Sequence, residues 1–276
     1  MTIKNNVLTV SALAYGAELS SVQLFNKELL YQANQSWKYH DHVIFPIIGR
    51  GAHAFSINGN SHSLPQHGFA RESDFLEKQI GEETMEYSLE NNGHTALNYP
   101  YAFSFKAIYA IEEDVLIRRY EVTNKSGEAM YYQVGDHPAY LVDFEKATLT
   151  FPDEPVAQYP CPDGFLTDKK TPFAKTGTFR LEKSLFAEDD TIIIDNPRLP
   201  IILDTGRGIR IEFFFNSPFI AIWSPRNEDG FVCIEPWWGL GPSHSTPLEL
   251  KERSHYIKNA PGETKTFESR TRFTLI

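Results

Sequence analysis

The feature that most limits what this chain can fold into is the spacing of its apolar residues, which is that of a β-strand in almost every segment. Phe103, Phe105, Ala107, Tyr109 and Ile111 alternate with Ser104, Lys106, Ile108 and Ala110, and successive strand side chains point to opposite faces. Val115–Asn124 is a second β-rich run behind a Glu-Glu-Asp turn, which predicts a hairpin. Lys125-Ser126-Gly127 then predicts a turn into Ala129–Val134, extending the hairpin into a meander. Ala54–Ile57 and Asn60–Leu64 flank Asn58-Gly59, a dipeptide that supplies the positive φ values of a type I′ turn. Further strands are predicted at Thr191–Ile194, Ile201–Leu203, Ile209–Phe215, Phe219–Trp223, Phe231–Ile234 and Phe267–Leu275. No window holds a helical stripe, and short helices are predicted only near Ser184 or around Trp37.

The most irregular stretch is Pro152–Pro172, with five prolines, which predicts a long surface loop anchored by Phe151, Tyr159, Phe165 and Phe173. Near the start, Leu8–Tyr15 has the apolarity of a short secretory core. Its flanks of one Lys, two Asn and Glu18 instead predict an edge strand and turn. No stretch approaches the roughly 18 to 20 apolar residues that cross a bilayer. No repeat or composition break divides the 276 residues. The expected architecture is therefore all-β, one large antiparallel sandwich domain over 1–276.

Charge and cysteine usage narrow the partners. A formal net charge of −10 opposes binding to nucleic acid or to an anionic membrane surface and leaves a small neutral substrate open. Cys161 and Cys233 are the only cysteines and are isolated in sequence. They form neither a disulfide framework nor a Cys-x-x-Cys metal site, which fits the cytoplasm.

Four short segments carry polar groups in unusual places. Pro46-Ile-Ile-Gly-Arg50 ends an apolar run in an arginine, and Pro65-Gln-His67-Gly68 sets a histidine before a glycine. Gly135-Asp136-His137-Pro138-Ala-Tyr140 places a second histidine after a strand, and Cys233-Ile-Glu235-Pro236-Trp237-Trp238 ends an apolar strand in a carboxylate. Singly, each has an ordinary reading: a turn histidine, a surface arginine, a carboxylate bonded to backbone, core tryptophans. Together they are the equipment of a carbohydrate site. Aromatic faces stack on sugar C–H groups, forked cations bind hydroxyls, and a histidine with a partly desolvated glutamate can trade protons near neutral pH. His40-Asp41-His42 suggests a metal-binding barrel, but no glutamate follows in Val43–Ile48. A polar turn before a buried strand is expected there, with His40 or His42 at the rim of the cleft.

The ordered set Gly-Arg50, His67-Gly68, Asp-His137-Pro-Ala-Tyr and Ile-Glu235-Pro-Trp-Trp-Gly resembles the aldose 1-epimerase (galactose mutarotase-like) family, and within it the compact bacterial LacX-like members. The resemblance runs from the N-terminal strands to Phe273. It implies a β-supersandwich without cofactor or metal, monomeric or homodimeric, with a sugar in an open cleft on one sheet. It implies Glu235 as the base on the anomeric hydroxyl and His137 as the acid on the ring oxygen. His67 and Arg50 would hold hydroxyls and ring oxygen, Trp237 would contact the sugar, and Asp190 (or the adjacent Asp189) would bind further hydroxyls. Pro-Gln-His67-Gly and His137-Pro-Ala-Tyr140 depart from the asparagine-rich segments of galactose mutarotases, which leaves the sugar open. Two other functions remain. A hexose-6-phosphate epimerase would draw on Arg71 and Arg226 for phosphate, and a non-catalytic sugar-binding sandwich would need the tryptophans but no acid–base pair.

Overall fold

A strand with one apolar face needs a second apolar surface to cover it, and here two large sheets cover each other. The computed structural model describes residues 1–35, 37–49, 53–152, 156–173, 175, 177–187, 191–226 and 230–276. Nine strands form one sheet, running in spatial order from Gly177–Arg180 through Thr148–Phe151, Ile201–Asp204, Ile209–Phe215, Thr264–Leu275, Val115–Asn124, Phe103–Glu112 and Thr84–Glu90 to Leu76–Gln79. Seven form the other, in the order Thr171–Phe173, Val156–Tyr159, Thr191–Asp195, Phe219–Trp223, Phe231–Trp238, Val134–Leu141 and Asp41–Ile44. Neighbouring strands in both are antiparallel, and the N-terminal segment Thr2–Glu28 adds a smaller four-stranded sheet ending at Lys27–Glu28. The chain is thus an all-β antiparallel sandwich.

Aromatic residues fill the space between the sheets. Phe45 stacks on Phe105 with ring centroids 4.7 Å apart, and Tyr140 meets Phe213 edge-on at 5.4 Å. In the nine-stranded sheet, Phe103, Phe105, Ala107, Tyr109 and Ile111 are all buried, and the expected hairpin to Val115–Asn124 forms, with Glu112 opposite Val115 at its turn. The Asn58-Gly59 hairpin also forms, with φ values of 52° and 79°.

Four expectations change. The meander stops at Asn124, because the C-terminal strand Thr264–Leu275 occupies that edge. Met130–Tyr132 pairs with Ile257–Asn259 instead. The Pro152–Pro172 stretch is not a surface loop throughout. Val156–Tyr159 and Thr171–Phe173 pair at the rim of the seven-stranded sheet, where Pro172 can sit because an edge position does not require its missing N–H. Leu8–Ala12 is not an edge strand but lies between Thr2–Lys4 and Leu19–Leu24. A 3₁₀ turn occupies Lys183–Phe186 near Ser184, whereas the described residues around Trp37 hold no helix. An unexpected α-helix, Gly93–Asn98, is capped by Asn92.

One polar cluster lies inside the sandwich. Arg118, from the nine-stranded sheet, donates from Nη2 (2.7 Å) and Nε (3.1 Å) to Asp41 Oδ2 on the seven-stranded sheet. Its Nη1 reaches Thr271 at 3.1 Å and its Nη2 also reaches Tyr140 at 3.3 Å. Asp136 alongside accepts from Ser269 (2.7 Å) and from Tyr120. Burial pushes the Asp41 carboxyl up to about 6 against the pull of Arg118.

Arg118→Leu should lower the unfolding free energy by about 3 to 5 kcal/mol near pH 8, because it strands buried carboxylates without their cation. The loss should shrink at pH 5, where Asp41 takes a proton in the folded state. Urea titrations at the two pH values read both effects, and an equal loss at both would contradict this account.

Candidate active site

The seven-stranded sheet places its polar groups by register. His42 pairs with His137, and Ala221 pairs with both Glu235 and Ile193. Gly135↔Trp237 and Ala139↔Cys233 bracket His137 against Glu235 on the neighbouring strand. Residues 42, 137, 235, 221 and 193 therefore form one row across one face of the sheet. Their chain neighbours Asp41 and Asp136 point the other way, into the Arg118 cluster. Glu235 and His137 are accordingly mid-strand, not at strand ends, and His42 belongs to a strand, not to a polar turn. Pro138 and Pro236 carry no N–H, and ladder pairing between the two strands lapses from Gly135↔Trp237 until Ala139↔Cys233. The acid–base candidates sit in that gap.

Above the row lies a cavity of about 490 Å³, within the usual range for a small-molecule site. His137 Nε2 stands 3.3 Å from Glu235 Oε2, and Trp237 Nε1 donates to the same oxygen at 3.2 Å. Gly135 has no Cβ because one there would come within 2.9 Å of the Trp237 ring. The two tryptophans separate by alternation: Trp237 lines the cavity, while Trp238 faces the core beside Tyr120 and Phe267.

His67 enters from a tight turn, with φ 61° at His67 and 76° at Gly68. A Cβ on Gly68 would lie 2.2 Å from the Phe45 carbonyl oxygen, so only glycine allows this approach. The Gly49 amide donates to His67 Nδ1 (3.4 Å), which leaves the His67 proton on Nε2. His67, His137, Glu235 and Trp237 thus share one cavity. Arg50, Asp189 and Asp190 lie outside the described residues, although their chain neighbours Gly49 and Thr191 line the cavity.

Sequence reasoning gave too little weight to the opposite wall. The His42 ring stacks on His137 at 4.5 Å, and Trp37 and Trp223 approach His137 at 5.4 and 5.6 Å. Arg71 lies over the Tyr39 ring at 5.0 Å, with Nη1 3.5 Å from His42 Nε2. The alternation of Asp41 inward and His42 outward was the available signal for His42. Arg226 is not among the lining residues, and His40 instead bonds Glu18 at 2.9 Å.

Burial dominates the electrostatics. It holds His42 and His67 well below the usual histidine range, helped by His137 and Arg71. Burial, with the Arg71 charge, pushes His137 down to about 3. His42 and His67 are neutral at pH 7 on these grounds, and each keeps one N–H to donate and one nitrogen to accept.

Comparison with known proteins follows the same outline. A family model described as aldose 1-epimerase matches residues 1–272. The plasmid-borne LacX protein of Lactococcus lactis subsp. lactis is 28% identical over 286 aligned positions, covering 95% of each chain. A solved galactose mutarotase related enzyme from Lactobacillus acidophilus superposes with a TM-score of 0.94 at 28% identity, over 99% of this chain and 97% of the other. A galactose mutarotase-like protein from Lactobacillus casei ATCC 334 shares the fold, with a TM-score of 0.92 at 22% identity over 99% of each chain.

The buried histidines give a pH signature. The folded chain refuses protons that the unfolded chain accepts below the ordinary histidine pKa of 6.5, so the stability each contributes is complete above 6.5 and is lost as pH falls. Relative to His42→Gln, the wild type should lose about 2 kcal/mol between pH 7 and pH 5. Taking the difference between the two proteins cancels the opposing Asp41 contribution. Thermal melts of both across this range measure it, and a pH-independent difference would refute the neutral buried imidazole.

Proposed function

The chain belongs to the aldose 1-epimerase family, and from that premise we propose that it interconverts the α and β anomers of a free aldose, with Glu235 as base and His137 as acid. The observation that carries this reading is the 3.3 Å between His137 Nε2 and Glu235 Oε2 on the floor of the cavity. The two oxygens of a hemiacetal share one carbon, so an acid and a base set side by side on one wall can each reach one of them. To act as the acid His137 must carry a second proton, which the Glu235 carboxylate 3.3 Å away favours against burial and Arg71.

In the reaction, Glu235 takes the proton of the anomeric hydroxyl as His137 gives one to the ring oxygen. The C1–ring oxygen bond breaks, rotation about C1–C2 turns the other carbonyl face inward, and the reverse transfers close the ring. No electron leaves the sugar and no covalent enzyme intermediate is needed. Trp237 holds the carboxylate oxygen and offers its face to the sugar. His67, Arg50 and Asp190 are assigned to the hydroxyls and ring oxygen by the family resemblance. Since the cavity draws walls from Gln35 to Gly241, we take 1–276 to act as one domain. A purely binding module has no use for an acid beside a base, which weighs against the non-catalytic alternative.

One observation favours a second reading, a phosphorylated aldose. Arg71 stands on the cavity wall beside Lys38, and its Nε meets no acceptor among the described residues. A guanidinium so placed suits a phosphate.

Two measurements test these readings. Polarimetry on fresh α-D-glucose and α-D-galactose should show acceleration by the protein, and Glu235→Gln should lower kcat/KM by roughly 10²- to 10⁴-fold. A near-normal rate in that variant would overturn the role of Glu235, and no acceleration on any aldose would overturn the enzyme. Arg71→Met should leave free-sugar turnover largely intact. If the phosphorylated sugar is the substrate, the same variant should raise its KM at least tenfold.

A further inference from the structure

Cys233 is a buried thiol that the proposed proton transfers do not use. It lies two residues before Glu235 on the same face of the strand Phe231–Trp238, opposite the small side chain of Ala139 on the histidine strand. We propose that Cys233, His137 and Glu235 form a binding site for a borderline-soft divalent cation of the Zn²⁺ type, in which the metal takes the acid and the base together. The ligand atoms offered by the three residues all lie within 4.8 Å of one another, and all three residues are buried.

The geometry suits such an ion. Zinc bonds of about 2.0 to 2.3 Å in a tetrahedron set neighbouring ligand atoms roughly 3.3 to 3.8 Å apart. His137 Nε2 and Glu235 Oε2 already stand at 3.3 Å, so only the sulfur, within 4.8 Å of the other ligand atoms, has to close in. Thiolate, imidazole and carboxylate are also the donor types this class of ion prefers. One thiolate and one carboxylate neutralise the double charge, so no net charge is left in the low-dielectric floor. His137 and Glu235 line the cavity, so a fourth ligand would be water or a sugar hydroxyl entering from there. On binding, the Cys233 S–H bond breaks, the proton leaves to solvent, and a sulfur lone pair forms the S–metal bond without any change of oxidation state.

The site has a direct consequence for the reaction proposed above, on which this clause alone rests: a bound cation occupies both proton-transfer atoms and stops mutarotation reversibly. The site itself is tested without substrate. Titrating the protein with Cd²⁺ should raise a thiolate-to-cadmium absorption band that saturates at a single equivalent, and calorimetry with Zn²⁺ should give the same stoichiometry. Cys233→Ala should abolish the band and weaken Zn²⁺ binding roughly tenfold or more, since even an outer-shell partner of a metal ligand is worth 10- to 100-fold. Cys233→Ser, close in volume, should behave alike and, with an unchanged circular dichroism spectrum, exclude misfolding as the cause. Cys161→Ala, which removes the thiol on the cavity wall, should leave the band in place. A missing band in the wild type, or Zn²⁺ binding unaltered in both Cys233 variants, would overturn the site. Since binding is read with no sugar present, failure of the site and failure of the mutarotase reading give different results.

Discussion

A strand buried on both faces must serve two environments with one sequence, and that constraint governs the strands that build this site. Val134–Leu141 and Phe231–Trp238 are buried almost throughout. Their inward residues meet the nine-stranded sheet and their outward residues floor the cavity. Chemistry and core are therefore interleaved residue by residue: Asp136 belongs to the Arg118 cluster and His137 to the cavity, Ile234 to the core and Glu235 to the site. A slip of one residue in register would exchange the two sets.

The same constraint explains what the sequence revealed and what it hid. Phe103–Glu112 has one face in the core and one towards solvent, so its alternation is plain and the hairpin was legible, as was the class of the fold. Where both faces are buried, alternation fades, and Phe231–Ile234 read as a strand that ended before Glu235. Pro236 reinforced that error, because proline normally argues against a central strand. The partnership of His137 and Glu235 was not visible locally at all. Nearly a hundred residues separate them, and only family resemblance joined them before the register did. His42 was hidden for a further reason: its neighbour Asp41 looks like a turn residue until Arg118, 77 positions away, supplies the buried cation.

The two faces also differ in how they manage polarity. On the core side, charges are kept and matched, with Arg118 shared between carboxylates and hydroxyls. On the cavity side, burial strips protons from His42 and His67, so they present neutral donors and acceptors that suit hydroxyl groups better than ions. Arg71 and Lys38, both over the Tyr39 ring, are the cationic exceptions, and they are the groups an anionic substituent on a sugar would meet.

The two prolines that flank the acid–base candidates have an effect beyond secondary structure. Sheets owe much of their stiffness to cross-strand hydrogen bonds, and Pro138 and Pro236 thin those bonds under residues 137 and 235 while the ladders on either side continue. The sheet thereby has fewer cross-strand bonds at this spot than along the rest of the two strands, like a board scored across its underside. The imidazole and the carboxylate therefore face each other across the one stretch of these two strands that the ladder leaves unpaired, directly above the Arg118 cluster.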